Sequence, residues 1–460
     1  MEHDGWRALA VAWDTWWVEH AGTEALARRQ RARLAALVRH ARRSSPYYRR
    51  LYRDVPADVE DPRLLPPVTK RELMAHFDEW VTDPEVTLEA LRRDFLADGT
   101  MVGRLYLGRY RAFTSSGSTG VPVVLLHDRS SWTVMNVVVR VRARRSLLTA
   151  RDLPALLRHG LREAVLVATG GHFGGVVVAE DARRRSRLVA RRVRVLSVLR
   201  PLPDLVAELN AFRPTALLGY PSAIALLAAE QDAGRLRIAP LLALTSGEAL
   251  TAAARGRIAA ALGCRVLEQY SASEAPGLAV GCRHGTLHVS TDRYLFEPVD
   301  ERHRPVPPGV VSHTVLVTDL TNRVQPVIRY DLGDRVLVLP RPCPCGSPLP
   351  AVRVEGRSGD VLVFRAAGGG TVAVLPLALG TVVGETPGVR RFQAVRTTPE
   401  TLSVRLDPEP GTDPAALRAA VDARLRAFLA ERGLGTVSVE HSDEPPRPDR
   451  SGKFHEVRSA

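Results

Sequence analysis

Residues 241–274 read LLALTSGEALTAAARGRIAAALGCRVLEQYSASE, and the fold is decided there. Leu241–Thr245 is an apolar run of strand length, Ala252–Leu262 has helical character, and a second apolar run closes on Gln269-Tyr270-Ser271-Ala272-Ser273-Glu274. Ser246-Gly247-Glu248 and Gln269-Tyr270-Ser271 thus stand at the carboxyl ends of successive strands, where open α/β sheets bind ligands. Upstream the alternation continues through Ala164–Ala168, Leu205–Phe212, Ala216–Gly219 and Ala223–Ala233, which predicts a mainly parallel α/β sheet.

Further out, Trp6 to Arg43 predicts two amphipathic helices, stopped by Ser44-Ser45-Pro46. Leu105 to Leu126 predicts short strands around a small-residue loop, followed by a helix over Ser130–Leu148. Leu287 to Leu339 has a β-rich texture punctuated by turns. A boundary is predicted at Glu355–Asp360. Beyond it, Phe392–Arg396 and Leu402–Leu406 predict paired strands, and Pro414–Arg432 a helix capped by Thr412 or Asp413 and ended by Gly433. The expected class is α/β: a large N-terminal domain (residues 1–356) of α/β subdomains plus a β-rich subdomain, and a small α+β C-terminal domain (residues 357–460).

The 460 residues have a net charge of +14, and of 64 basic residues only Lys70 and Lys453 are lysines. The densest basic run, Arg183 to Arg194, is one part of an arginine excess scattered along the chain among acidic residues. That pattern suits a GC-rich coding bias better than a built phosphate-binding face, and argues against a nucleic-acid partner. It also singles out any lysine that persists. Four cysteines do not make a disulfide framework. No apolar stretch reaches membrane-spanning length and the first residues lack a signal-like apolar core, so a soluble cytoplasmic protein is expected.

The chemistry sits in five separated pieces. Thr114-Ser115-Ser116-Gly117-Ser118-Thr119-Gly120-Val121-Pro122 offers glycines that let backbone approach an anion, and N–H and hydroxyl groups that cradle phosphate oxygens, but no Gly-Lys-Ser/Thr follows as in a Walker A loop. The second and third pieces are the strand-end segments at 246–248 and 269–274. The fourth runs from Val317-Thr318-Asp319 to Ile328-Arg329-Tyr330-Asp331-Leu332-Gly333-Asp334, and the fifth is Arg450-Ser451-Gly452-Lys453.

In this order the pieces resemble the adenylate-forming superfamily of acyl-CoA synthetases and peptide adenylation domains, and within it the branch of phenylacetate-CoA ligases and coenzyme F390 synthetases. The likeness runs from about Arg33 to Lys453. It implies that Ser115, Ser116, Gly117, Ser118, Thr119 and Gly120 hold the phosphates of ATP, with Thr119 in the catalytic set. Ser246, Gly247, Glu248, Gln269, Tyr270 and Ser271 would line the adenine pocket, Glu274 would bind Mg²⁺, and Asp334 the ribose hydroxyls. Arg357 would mark the hinge of a mobile C-terminal domain carrying the catalytic Lys453. Structural alternatives stand beside these roles: Asp334 as a turn cap, Glu274 as a helix-start carboxylate, Tyr270 as core, Arg357 in an ion pair. Lys70 resembles a structural helix start. The family pattern has paired acids after Gly-Arg-x, whereas this chain has Gly359-Asp360.

Catalysis of this kind is positioning and charge stabilisation, as a carboxylate attacks the α-phosphorus and pyrophosphate leaves. A compact ammonium such as Lys453 suits the crowded phosphorus better than a planar guanidinium. Cys282, His288, Cys343 and Cys345 form a thiolate-rich set of the kind that selects a structural Zn²⁺, with His284 competing with His288. Similar sets occur in the branch. His172 in Thr169–Gly175 is a candidate for orienting a substrate carboxylate.

The implied function is ATP-dependent activation of an aromatic carboxylic acid and transfer to CoA. Alternatives keep the chemistry with another oxyanion, such as nitrite for diazotising an aryl amine, or another acceptor, an amine or a carrier-protein thiol. An alternative of another class is a basic nucleic-acid-binding pseudoenzyme. Oligomeric state is left open, with a homodimer as one option.

Overall fold

The computed structural model describes residues 2–56, 58–115, 122–147, 154, 160–357, 362–366, 368–374, 376–448 and 454–460. The two predicted N-terminal helices are present as Glu2–Val18 and Thr23–Ser44. The second buries Leu34, Leu37, Val38 and Ala41, one stripe at helical spacing. Thr69 and Glu72 cap each other at the start of the helix Lys70–Ala75, so Lys70 does open a helix. Arg111–Thr114 pairs antiparallel with Val124–His127, and the predicted long helix follows as Arg129–Leu147.

The central sheet has nine strands, in the spatial order Val193–Ser197, Glu163–Val167, Ala216–Gly219, Leu242–Ser246, Arg265–Tyr270, Ala279–Gly281, Leu287–Val289, Ala351–Arg357, Asp334–Val338. The first five are parallel and the last four antiparallel, so the sheet is mixed rather than mainly parallel. The parallel half follows from helical crossovers such as Pro221–Asp232 and Ala252–Leu262. After Tyr270 the connections no longer supply a crossover helix, and the chain turns straight back beside its predecessor. Gly219 is required where two parallel strands meet, because a Cβ there would lie 2.4 Å from the Leu166 carbonyl oxygen.

The predicted β-rich stretch divides between two sheets. Leu287–Val289 and Asp334–Val338 join the central sheet, while Tyr294–Val299, Thr314–Asp319 and Tyr330–Asp331 form a separate antiparallel one. In the C-terminal unit Val389–Thr398 pairs with Thr401–Pro408, longer strands and a tighter turn than the sequence suggested. The helix Pro414–Ala430 is capped by Asp413, which accepts from Ala415 and Ala416 N–H. Leu417, Val421, Leu425 and Leu429 of that helix join Leu362, Phe364, Phe392 and Val404 in a core drawn entirely from residues 362–457. No described helix is long and apolar enough to cross a membrane.

Candidate active site

A cavity of about 2200 Å³ runs along the parallel strands, from Glu163, Ala216 and Leu242 at their amino ends to Gly219, Ser246 and Tyr270 at their carboxyl ends. Its wall includes Ser115, Ser246, Gly247, Glu248, Gln269, Tyr270, Ser271, Glu274 and Asp334, nine of the predicted site residues. Val165, Val167, Val178 and Leu218 give it an apolar side, and Phe454, His455 and Glu456 contribute from the C-terminal unit. Ser116, Gly117, Ser118, Thr119, Gly120 and Lys453 lie outside the described residues, as does the side chain of Arg357.

Ser115 closes the base of the predicted phosphate loop: its N–H donates to the Val123 carbonyl at 2.9 Å, and its Oγ accepts the Val123 N–H at 2.9 Å. Next to it, Thr114 N–H donates to the His172 carbonyl at 2.7 Å. The buried His172 imidazole turns Nε2 to the Asp98 carbonyl at 3.1 Å, and His172 is absent from the cavity wall. It braces the strand rather than facing the cavity.

Tyr270 ends its strand and donates its phenol to the buried Asp334 carboxylate at 2.6 Å. Asp334 pairs across the strands with Arg357, so the expected ribose acceptor and the expected hinge meet at one sheet edge. Gly356, with φ +111, occupies a backbone conformation that side chains rarely adopt. Glu274 accepts from the buried Tyr330 hydroxyl at 2.7 Å. Glu248 is turned to two backbone amides, Ser222 N–H at 3.1 Å and Phe454 N–H at 2.5 Å.

Tyr330 and Phe454 carry no functional signal of their own in the sequence. Tyr330 lies within the quoted fourth piece and Phe454 directly follows Lys453, so motif adjacency was the available signal.

Away from the cavity, Cys282, His288, Cys343 and Cys345 converge with all four ligand atoms within 4.8 Å of one another. The set is drawn from the turn after Ala279–Gly281 (Cys282), the strand Leu287–Val289 (His288) and the loop after Asp334–Val338 (Cys343 and Cys345). Cys345 Sγ lies 3.2 Å from His288 Nε2, and His288 Nδ1 lies 3.1 Å from the Leu349 carbonyl. A carbonyl only accepts, so Nδ1 carries the proton and Nε2 presents its lone pair to the three sulfurs. His284 is exposed and contacts Arg283 instead. The donor set therefore fits a tetrahedral metal, with His288 as its nitrogen ligand.

No protein-family model matches the chain. It is 28% identical over 354 residues to a phenylacetate-coenzyme A ligase of Thermus thermophilus, covering 73% of this chain and 71% of the relative. It is 27% identical over 361 residues to the phenylacetate-coenzyme A ligase of Escherichia coli, covering 76% and 75%. Among solved structures, 2-hydroxyisobutyryl-CoA ligase in its postadenylation state, in complex with R3-HIB-AMP, superposes with a TM-score of 0.65 at 20% identity, over 94% of this chain and 88% of that one. Sequence and fold agree in what the chain resembles: phenylacetate-coenzyme A ligases in sequence, and 2-hydroxyisobutyryl-CoA ligase in fold.

Proposed function

We propose that the enzyme activates an aromatic carboxylic acid with ATP as the acyl-adenylate and transfers the acyl group to CoA, as a cytoplasmic protein. The observation that carries this reading is the gathering of separated sequence pieces on one cavity, with Tyr270 bonded to Asp334 and Tyr330 to Glu274. The apolar side of the cavity suits the ring of an aryl acid, and the strand-end segments suit the nucleotide.

In this reading the loop Ser115–Gly120 holds the phosphates. Ser246, Gly247, Gln269 and Ser271 line the adenine pocket with Tyr270 against the base, and Asp334 accepts from the ribose hydroxyls. Lys453 brings its ammonium to the α-phosphate as the acid attacks, stabilising the charge that develops there. Glu274, braced by Tyr330, would hold Mg²⁺, which neutralises phosphate charge when bound. The C-terminal unit from residue 357 onward rotates about Arg357 between the two half-reactions. The Cys282, His288, Cys343 and Cys345 set holds zinc in a structural role.

The test is a pyrophosphate-release screen over phenylacetate, benzoate, fatty acids and nitrite, run with and without CoA and followed by mass spectrometry. Release with an aryl acid and a CoA thioester product is the expected result. Release with nitrite alone, or an acyl-adenylate that CoA does not consume, would replace the proposed substrate or acceptor.

A further inference from the structure

Glu248 stands where the family resemblance expects an adenine-pocket residue, yet each of its carboxylate oxygens accepts a backbone N–H, and the Ser222 side chain bonds it as well. One accepts the N–H of Ser222, in the first turn of the helix Pro221–Asp232, where helix N–H groups lack intrahelical partners. The other accepts the N–H of Phe454, 206 residues further along the chain and in the C-terminal unit. A single side chain thus joins the large body to the segment that follows Lys453.

The far side of this contact is anchored as well. The Phe454 ring is buried under Arg391, whose guanidinium carbon lies 4.3 Å from the ring centre. Two residues on, the Glu456 carbonyl accepts from Ala394 N–H at 2.7 Å, and Val457 pairs with Ala394 in the C-terminal sheet. Phe454 therefore sits between two fixed points, its own sheet and Glu248. While Glu248 is ionised its bond to the Phe454 N–H is charge-assisted and stronger than the neutral bonds around it, although burial raises its carboxyl above the ordinary range.

Lys453 is covalently joined to the amide that Glu248 holds. We propose that Glu248 is a positioning residue of the first half-reaction: by holding the Phe454 amide it sets the reach of Lys453 toward the α-phosphate, and it contributes little to thioester formation, for which the C-terminal unit turns away. The inference rests on the adenylation reading for its catalytic part. The clamp itself is a statement about the free protein.

The experiment has two arms, Glu248→Ala and Glu248→Gln against wild type. Hydrogen–deuterium exchange on the free protein needs no substrate. Glu248→Ala should speed exchange at the Phe454 amide at least about tenfold while the Ala394 amide keeps its protection, and Glu248→Gln, with one acceptor oxygen for two amides, should fall between. Unchanged exchange at Phe454 overturns the clamp.

The kinetic arm uses phenylacetate as the probe acid. Glu248→Ala should lower kcat of ATP–pyrophosphate exchange at least about tenfold with the KM for ATP within about twofold, and leave thioester formation from supplied phenylacetyl-adenylate within about twofold. A raised KM for ATP with kcat intact makes Glu248 an adenine wall and overturns the positioning role. So does an equal loss in both half-reactions with a lower melting temperature. A wild type inactive toward phenylacetate counts against that acid in the proposed function, and the exchange arm then decides the clamp alone.

Discussion

Asp334 is buried at a sheet edge, and the Tyr270 phenol is one of the groups that hold its carboxylate. If Asp334 accepts from ribose, Tyr270 works on the nucleotide through it as well as by its ring. Tyr270→Phe keeps the ring and removes the O–H, leaving a buried carboxylate short of one donor, a loss of about 1–3 kcal/mol. The KM for ATP should rise about tenfold or more while the KM for the acid holds, measured by initial rates against each substrate. An unchanged KM for ATP would remove Asp334 from the nucleotide site. Lys453 makes the complementary prediction. Lys453→Ala should lower pyrophosphate release about a hundredfold or more but largely spare thioester formation from supplied phenylacetyl-adenylate, and Lys453→Arg should not restore the first step. Equal loss of both steps would sink a mechanism in two arrangements. Lys453 stands out in the sequence as one of two lysines in a chain rich in arginine and Asp334 as the close of a motif, and the measurements above decide the roles of both. The partners were not legible: Glu274 meets Tyr330 across 56 residues and Glu248 meets Phe454 across 206, separations that only the folded topology closes.

Whole elements show the same division between local and long-range signals. The helices Thr23–Ser44 and Pro414–Ala430 were legible because periodicity and caps are written into neighbouring residues. The strand Val193–Ser197 lay hidden at the end of the arginine-rich run, where charge masked its buried Val193 and Leu196. The β-rich stretch was recognised as strand-forming but not assigned to two sheets, because register and partner choice depend on distant strands. The cysteine cluster sits where this matters, tying the short hairpin Ala279–Gly281/Leu287–Val289 to the loop between Asp334–Val338 and Ala351–Arg357. Short strands joined by turns have little local stability, so a closed metal site there is expected to contribute to folding. Elemental analysis should find one zinc per chain. Cys343→Ser should abolish it and lower the melting temperature by several degrees, with ATP-site affinity retained if the fold holds. Full stability without zinc would make the four residues an ordinary buried cluster.

At the scale of the whole molecule, the arginine excess lies mostly at the surface, and part of it is paired with acids of the same chain. Arg29, Arg33 and Arg293 converge on Asp14, and Arg142 pairs with Asp292. In the densest basic run Arg183 pairs with Glu180, Arg185 with Asp181, and Arg184 bonds the Val102 carbonyl. Charged groups also face one another where the C-terminal unit meets the body. There Glu456, partly buried, faces Glu248 and Arg257 of the body and Arg391 of its own unit. Burial first, and the Glu248 charge second, raise its carboxyl from the ordinary 4.5 to about 7, although Arg257 and Arg391 pull it down. Between those two values the docked arrangement binds a proton that a solvated Glu456 would not. Docking is therefore favoured as pH falls toward 4.5 and penalised as it rises past 7. Exchange protection of the segment 454–457, corrected for intrinsic rates, should weaken by about tenfold from pH 6 to pH 8. Glu456→Gln, which stays neutral, should hold the protection seen at pH 6 across the whole range. If wild type and Glu456→Gln lose protection in parallel, the titrating group lies elsewhere, and the contact between the two units is not governed by this pair of carboxylates.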